Sequence, residues 1–459
     1  MLPLYKHQED TANFIFNNEA SFILNDPGTG KTRSLLHAFN RHKKEVNPQT
    51  VLLVIGPLSI LQPAWVGDIE KFYPHLTYSL CYAKTRKRAF DKDVDIYLLN
   101  HQGVDYPVKH IMFGKSDWIC IDESTAYKNI SAKRTKHART LCKSFGKRVL
   151  MTGTPTPNSV ADIWTQMHCL DGGERLGTSF VKFRDSHQHS RPIFGHRPNI
   201  RIYVDKPDAI NRVNEAIADI TKRYTLEECL DLPDNRITTY NCKLPPKLLS
   251  KYREMQETSV IELASKAQVT AVHAGALVKK LLQVCTGAVY DSSGEAQYFD
   301  TTRYELVIDL ATERLAKGKV LVAFNWRHER EALSKLAEDR GIQSAFIDGT
   351  VSATDRNRIV DDFQNGETKI LFCNPSAAAH GLTLTQAVTT IWCSPTYSSE
   401  HFQQFNRRSY RAGQTKKTEI ILIAADKTAE EQVYEKLNNK LTKMTTLLGL
   451  FENKEMASA

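Results

Sequence analysis

No two of the nine cysteines in this 459-residue chain form a C-x-x-C pair. An odd, scattered set of this kind indicates neither a disulfide framework nor a zinc site. Several sit inside apolar runs such as Trp118–Ile121, where a free thiol behaves as a small core residue of a reducing interior. Long apolar runs are missing too. The best candidate, Val51–Val66, is interrupted by Gly56, Pro57, Ser59, Gln62 and Pro63, well short of the about eighteen apolar residues a membrane span needs. The first ten residues, MLPLYKHQED, carry charges where a secretory peptide has its apolar centre, so export is not expected. There is no internal repeat and no low-complexity tract. Neither sign of charge dominates: 61 basic against 52 acidic residues leave +9. That balance suits a polyanionic partner but, spread over such a length, decides nothing alone.

What is present describes a globular chain, 41% hydrophobic and 25% charged, long enough for about three domains. Short β-branched runs alternate with stretches of helical period, the pattern of an α/β fold with parallel sheets covered by helices. Strands are expected at Ser21–Leu24, Val51–Ile55, Ile96–Leu99, Trp118–Ile121 and Val149–Met151. The pattern restarts with a helix at Tyr304–Lys317, a strand at Lys319–Phe324 and a helix at Arg327–Arg340. Strands at Ser344–Ile347, Ile370–Cys373, Thr389–Trp392 and Ile420–Ile423 follow. Two doubly wound sheets fit better than one sheet interrupted by more than a hundred residues of different character. The expected division is a first lobe at 1–157, a largely helical insertion and linker at 158–303, and a second lobe at 304–459. Within the insertion, Ala209–Lys222 and Pro246–Val284 have helical spacing, with a turn at Asp231-Leu232-Pro233-Asp234 between them.

The segment Asn25-Asp26-Pro27-Gly28-Thr29-Gly30-Lys31-Thr32 follows a strand and opens a helix, the arrangement of a phosphate-binding loop. Gly28 and Gly30 let backbone N–H groups curl toward phosphate oxygens, and the helix N-terminus adds partial positive charge. Lys31 is placed to neutralise β/γ phosphates and Thr32 to hold Mg²⁺. The alternative is a glycine-rich turn with an exposed lysine. The strand Trp118–Ile121 runs into Asp122-Glu123-Ser124-Thr125, so two carboxylates stand at the carboxyl end of a buried strand, where open α/β sheets bind ligands. Asp122 suits the metal; Glu123 suits the attacking water. A solvated loop start is the alternative. Arg408 and Arg411, three apart on an expected helix face, can reach one phosphate as arginine fingers or form an ordinary basic face.

Taken together these segments resemble a superfamily 2 helicase-type ATPase of the Snf2 family. Gln8, after Leu4-Tyr5-Lys6-His7, resembles the family's adenine-reading glutamine. Pro57, Leu58, Leu61 and Trp65 resemble its DNA-backbone-contacting stretch. Lys128-Asn129, and Leu150-Met151-Thr152-Gly153-Thr154-Pro155 with Asn158, resemble its coupling segments. Later come Asp348-Gly349 with Arg356, Gly381-Leu382-Thr383-Leu384 with Ala387, and Gln404 through Arg408, Arg411, Gly413 and Gln414. The likeness runs from Gln8 to about Glu430. It implies two RecA-like lobes, and ATP held with Mg²⁺ by Gln8, Asp26, Gly28, Thr29, Gly30, Lys31, Thr32 and Gln404, with Thr32 and Asp122 on the metal. It implies catalysis by Lys31, Asp122, Glu123, Arg408 and Arg411, and nucleic-acid contact by Pro57, Leu58, Trp65, Lys128, Asn129, Thr152, Gly153, Thr154, Gly381 and Thr383. Asn25, Thr383 and Ser398-Ser399-Glu400 depart from the common pattern and bear on the subfamily.

The expected activity is an ATP-dependent motor tracking on double-stranded DNA, forked or branched forms included, in replication, repair or recombination. A strand-separating, branch-migrating or annealing helicase is the nearest alternative, followed by an RNA-directed ATPase and a non-catalytic clamp. A monomer is expected, in the cytoplasm of a bacterial or phage-infected cell, or in a nucleus if the source is eukaryotic. Lys84–Arg88 and Lys133–Lys136 are either DNA-facing or solvated. Phe324, Trp326 and Trp392 are either stacking platforms or core, and His380 reads as structural.

Overall fold

The computed structural model describes residues 3–82, 85–192, 201–229, 233–265, 271–291, 293–378 and 382–449. Two compact units result: Met1–Ser190 with Tyr203–Asp231 and Leu441–Ala459, and Arg191–Ile202 with Leu232–Lys440.

In the first unit seven parallel strands run in the order Tyr78–Cys81, Ile96–Asn100, Leu52–Gly56, Trp118–Asp122, Lys147–Met151, Ala20–Ile23 and Thr221–Lys222. Central strands are mostly apolar, as burial on both faces demands: every residue of Leu52–Gly56 and Trp118–Asp122 is buried, the latter strand closing on a carboxylate. Alternate residues point to opposite faces, so Phe22, Leu53 and Ile119 join one apolar cluster while Ile23, Val54 and Cys120 join the other. Because the strands are parallel and adjacent, their carboxyl ends bring Pro57, Asp122, Thr152, Asn25 and Arg223 to one edge of the sheet. The first helix, Lys6–Asn17, is fixed by Lys147, whose ammonium donates to the carbonyls of Ile15, Phe16 and Asn18 at 2.9, 2.7 and 2.9 Å.

The second unit has six parallel strands in the order Asn235–Cys242, Thr418–Ala425, Ala387–Trp392, Lys319–Ala323, Ile370–Cys373 and Ser344–Ile347. Phe324 and Trp392 are buried, so the core alternative holds for both.

The α/β class and the two parallel sheets are as expected. Residues 158–303 do not form a body of their own. The helices Ala161–Asp171, Phe180–His187 and Ala209–Ile217 lie in the first unit, and Pro246–Ser265 and Ala271–Cys285 in the second. The helix expected to reach Lys222 stops at Ile217, and Thr221–Lys222 becomes the sheet's last strand. Asn235–Cys242 is a strand whose mostly exposed, polar sequence NRITTYNC carries no apolar signal. Of the expected turn before it, Asp231 and Leu232 lie outside the described residues, as do His380 and Gly381.

A buried ion pair ties three elements of the second unit together. Arg303, on the helix Thr302–Arg314, grips Glu430 with two bonds of 2.7 Å and donates to the Cys393 carbonyl at 2.9 Å. Glu430 also accepts the Ala425 N–H at 2.8 Å. Arg303→Met strands a buried carboxylate and is expected to destabilise the second unit by about 3–5 kcal/mol, whereas Arg303→Met/Glu430→Leu recovers most of the loss. Urea unfolding followed by tryptophan fluorescence checks this. Equal midpoints for Arg303→Met and the parent chain would show that the pair adds no net stability.

Candidate functional site

The loop after Ala20–Ile23 turns into the helix Lys31–Glu45 by passing Gly28 at φ 93° and Gly30 at φ 85°, both in the left-handed region. Gly30 has a second reason to lack a side chain: a Cβ there would lie 2.2 Å from Gln8 Nε2. Gln8 donates to the Thr29 carbonyl at 3.1 Å and accepts the Tyr5 N–H at 3.3 Å, and a His7 ring nitrogen lies 2.8 Å from the same Thr29 oxygen. Gln8, expected to read adenine, here commits its amide to holding the loop. Thr29 Oγ1 donates to the Asp26 carbonyl at 2.8 Å. Lys31 Nζ folds back onto the carbonyls of Asn25 and Asp26 at 2.8 and 3.1 Å. Burial lowers its pKa, and Glu123, Asp122 and Asp26 oppose that shift. The loop thus places one buried ammonium against two of its own carbonyls and near three carboxylates.

Asp122 ends its strand buried. Its Oδ2 accepts Trp65 Nε1–H at 3.1 Å and its Oδ1 accepts the Glu123 N–H at 3.0 Å. Burial raises its pKa and Lys31 opposes the rise, so a bound cation would relieve a real electrostatic cost. Glu123 has φ 50°, one of two non-glycine residues with positive φ among the described residues. Strain of this kind is worth on the order of 1–3 kcal/mol and gathers at functional sites. Beyond it, Ser124 Oγ donates to Gln166 Oε1 at 2.7 Å, and Thr125 Oγ1 bonds Thr152 Oγ1 at 2.9 Å and the Thr154 carbonyl at 2.8 Å.

This network takes up several of the groups expected to contact nucleic acid. Thr152 and Thr154 are buried, and the Thr154 N–H donates to Thr152 Oγ1 at 3.1 Å. Gly153 lies against Pro27, where a Cβ would approach the ring to 2.7 Å. The turn thus links the carboxylate segment to the phosphate loop. Trp65 is fully buried in the π-helical stretch Leu61–Val66, with its N–H spent on Asp122. Pro57, Leu58, Lys128 and Asn129 do reach the surface, Leu58 being 52% exposed, and Asn129 Oδ1 accepts from Ser131. Thr383 is exposed on the second unit.

Sequence patterns missed the segment after Thr221–Lys222. Arg223 Nη1 donates to Asp26 Oδ1 at 2.9 Å and to the Leu24 carbonyl at 2.7 Å. The Leu226 N–H donates to Asp26 Oδ2 at 3.2 Å, and the Asp26 N–H to the Tyr224 carbonyl at 2.9 Å. Tyr224 in turn donates its hydroxyl to Asp10 at 2.8 Å. Only a loop-proximal arginine after a short strand could have hinted at this.

In the second unit, Gln404 is buried on the helix Ser399–Asn406. Arg408 and Arg411 do not share a helix face, because that helix ends at Asn406 and both follow it in a turn. They meet nonetheless: each donates to the Leu382 carbonyl, at 3.3 and 3.1 Å, and Arg408 Nε donates to the Gln404 carbonyl at 2.9 Å. Gln414 Nε2 fastens the turn to the carbonyls of Thr385, Ala387 and Ser409 at 3.0, 3.0 and 3.1 Å. Burial lowers the Arg411 pKa, so an anion would stabilise its charged form.

The SNF2-related domain matches residues 7–286, and the helicase conserved C-terminal domain matches residues 302–413. Protein p41 of Acyrthosiphon pisum secondary endosymbiont phage 1 is 26% identical over 98% of this chain and 98% of its own. The uncharacterized ATP-dependent helicase MG018 of Mycoplasma genitalium is 23% identical over 95% of this chain and 41% of its own. This chain therefore spans less than half the length of that relative. The solved Sulfolobus solfataricus SWI2/SNF2 ATPase core in complex with dsDNA is 24% identical, over 97% of this chain and 93% of that one, with a TM-score of 0.46. Since the first of the two domains alone covers more than half of it, the chain belongs to the SNF2 family and is an ATP-hydrolysing enzyme of the helicase type.

Proposed function

We propose that the chain is an ATP- and Mg²⁺-dependent motor that moves along double-stranded DNA. One observation carries the reading: Lys31, Asp122 and Glu123 belong to one compact unit, whereas Arg408 and Arg411 belong to the other. A reaction whose last cation comes from a separate body is coupled to that body's movement. Lys31 and the N–H groups of the Gly28–Gly30 loop hold the phosphates. Thr32 and Asp122 fit magnesium, which neutralises phosphate oxygens when bound. Glu123 orients the attacking water and takes its proton, and Arg411 with Arg408 balances the charge that develops on the transferring group. Exposed Leu58, Asn129 and Thr383, half-buried Pro57 and Lys128, and the net charge of +9 support a backbone grip that does not read bases.

ATPase rates with duplex, single-stranded and forked DNA and with RNA, each added separately, test the substrate. The largest stimulation is expected from duplex. Preference for RNA or for a fork would displace the reading. Glu123→Gln is expected to retain ADP binding and to lose hydrolysis by about a hundred- to ten-thousandfold; loss of binding by the folded variant would remove Glu123 from its role. Arg411→Ala is expected to keep both ATP and duplex binding while cutting duplex-stimulated hydrolysis roughly a thousandfold. Steady-state turnover beside a nucleotide-binding measurement decides it, and full stimulation in the variant would rule Arg411 out as the arriving cation.

A further inference from the structure

The phosphate loop holds a carboxylate that it should not be able to tolerate. Asp26 is buried and precedes the glycines that curl around phosphate, and its carbonyl already accepts from Lys31. A bare aspartate here would repel an incoming polyanion and compete with it for the Lys31 ammonium. Its charge is instead taken up by Arg223: the ion pair is 2.9 Å long and both side chains are buried. The second carboxylate oxygen accepts the Leu226 N–H, so both oxygens are occupied from the same segment. Parallel pairing of Phe22 and Ile23 with Thr221 and Lys222 sets Arg223 at this height along the sheet.

We propose that Arg223 is a positioning residue for nucleotide binding, one that withdraws the Asp26 charge from the phosphate loop and so leaves Lys31 to the phosphates. The inference rests on the reading of Lys31 as the phosphate-binding cation. It makes a prediction that mere packing does not. If Arg223 only braced the loop, damage at either partner would weaken binding alike. If it neutralises Asp26, the two partners are unequal: losing the cation harms phosphate binding far more than losing the anion.

The test is binding of a fluorescent ADP, without added Mg²⁺, to the full chain and its variants, with ATPase KM and kcat measured in parallel. Arg223→Met is expected to weaken ADP binding at least about tenfold and to raise KM more than it lowers kcat. Asp26→Asn is expected to lose much less ADP affinity than Arg223→Met, and Arg223→Met/Asp26→Asn to recover most of the affinity lost by Arg223→Met. Arg223→Lys, which keeps the charge without the fork, should fall between parent and Met variant and serves in its place if Arg223→Met does not fold. Parental ADP affinity in Arg223→Met, or in Arg223→Lys where the Met variant does not fold, would overturn the inference. So would Asp26→Asn binding as poorly as Arg223→Met, or a double variant no better than Arg223→Met alone. Lys31→Ala separates the two layers: if it still binds ADP normally, the phosphate-loop reading itself fails. If it does not, while Arg223→Met does, only the role of Arg223 is lost.

Discussion

Removing water from Lys31 works against its charge, and the first unit is arranged so that the charge survives. Asp122, Glu123 and Asp26 lie near enough to oppose the cost of burial, and Arg223 holds the balance back in the other direction. Each of these groups is stranded if another is withdrawn, since buried charge persists only where it is paired or hydrogen-bonded. Asp122 shows the same dependence from the acidic side, accepting from Trp65 and from its neighbour's N–H while burial works to protonate it. The phosphate-loop end of the sheet is therefore a set of compensating charges.

Parallel strand topology is what allows such a set to gather. The carboxyl ends of five adjacent strands supply Pro57, Asp122, Thr152, Asn25 and Arg223 in sheet order, so residues far apart in the chain become neighbours without any long loop. From there the hydroxyls of Ser124 and Thr125 carry contact onward to Gln166, Thr152 and Thr154. A change at Asp122 is thus one hydrogen bond from the buried tryptophan of the Leu61–Val66 stretch, and three residues from Thr125, which bonds the Thr152–Thr154 turn.

What could be read directly from the sequence was what is contiguous. The glycines, Lys31 and Thr32 sit on one loop, and Asp122-Glu123 closes one apolar strand, so local pattern and chemistry coincide there. The burial of Trp65, Thr152 and Thr154 is not legible in the same way, because motif position says nothing about which way a side chain faces. The helix bearing Gln404 was extended too far because no glycine stands where it stops at Asn406; Gly413, with φ 94°, comes later. Arg223 was invisible for a different reason. Its partner is 197 positions away, and a two-residue strand leaves no periodicity to detect.

That separation bears on how the chain is made. The edge of the first sheet and the counter-charge of Asp26 both come from residues near 221–226, so a nascent chain exposes the phosphate loop incomplete until that segment has left the ribosome. At about 5–20 residues per second the wait is on the order of ten seconds or more. During it the Ala20–Ile23 strand has one unpaired side, the kind of template that other chains can join. A first unit halted before residue 221 would contain every recognisable nucleotide-binding motif and still present an open strand, which marks this interval as the one in which a chaperone has most to shield.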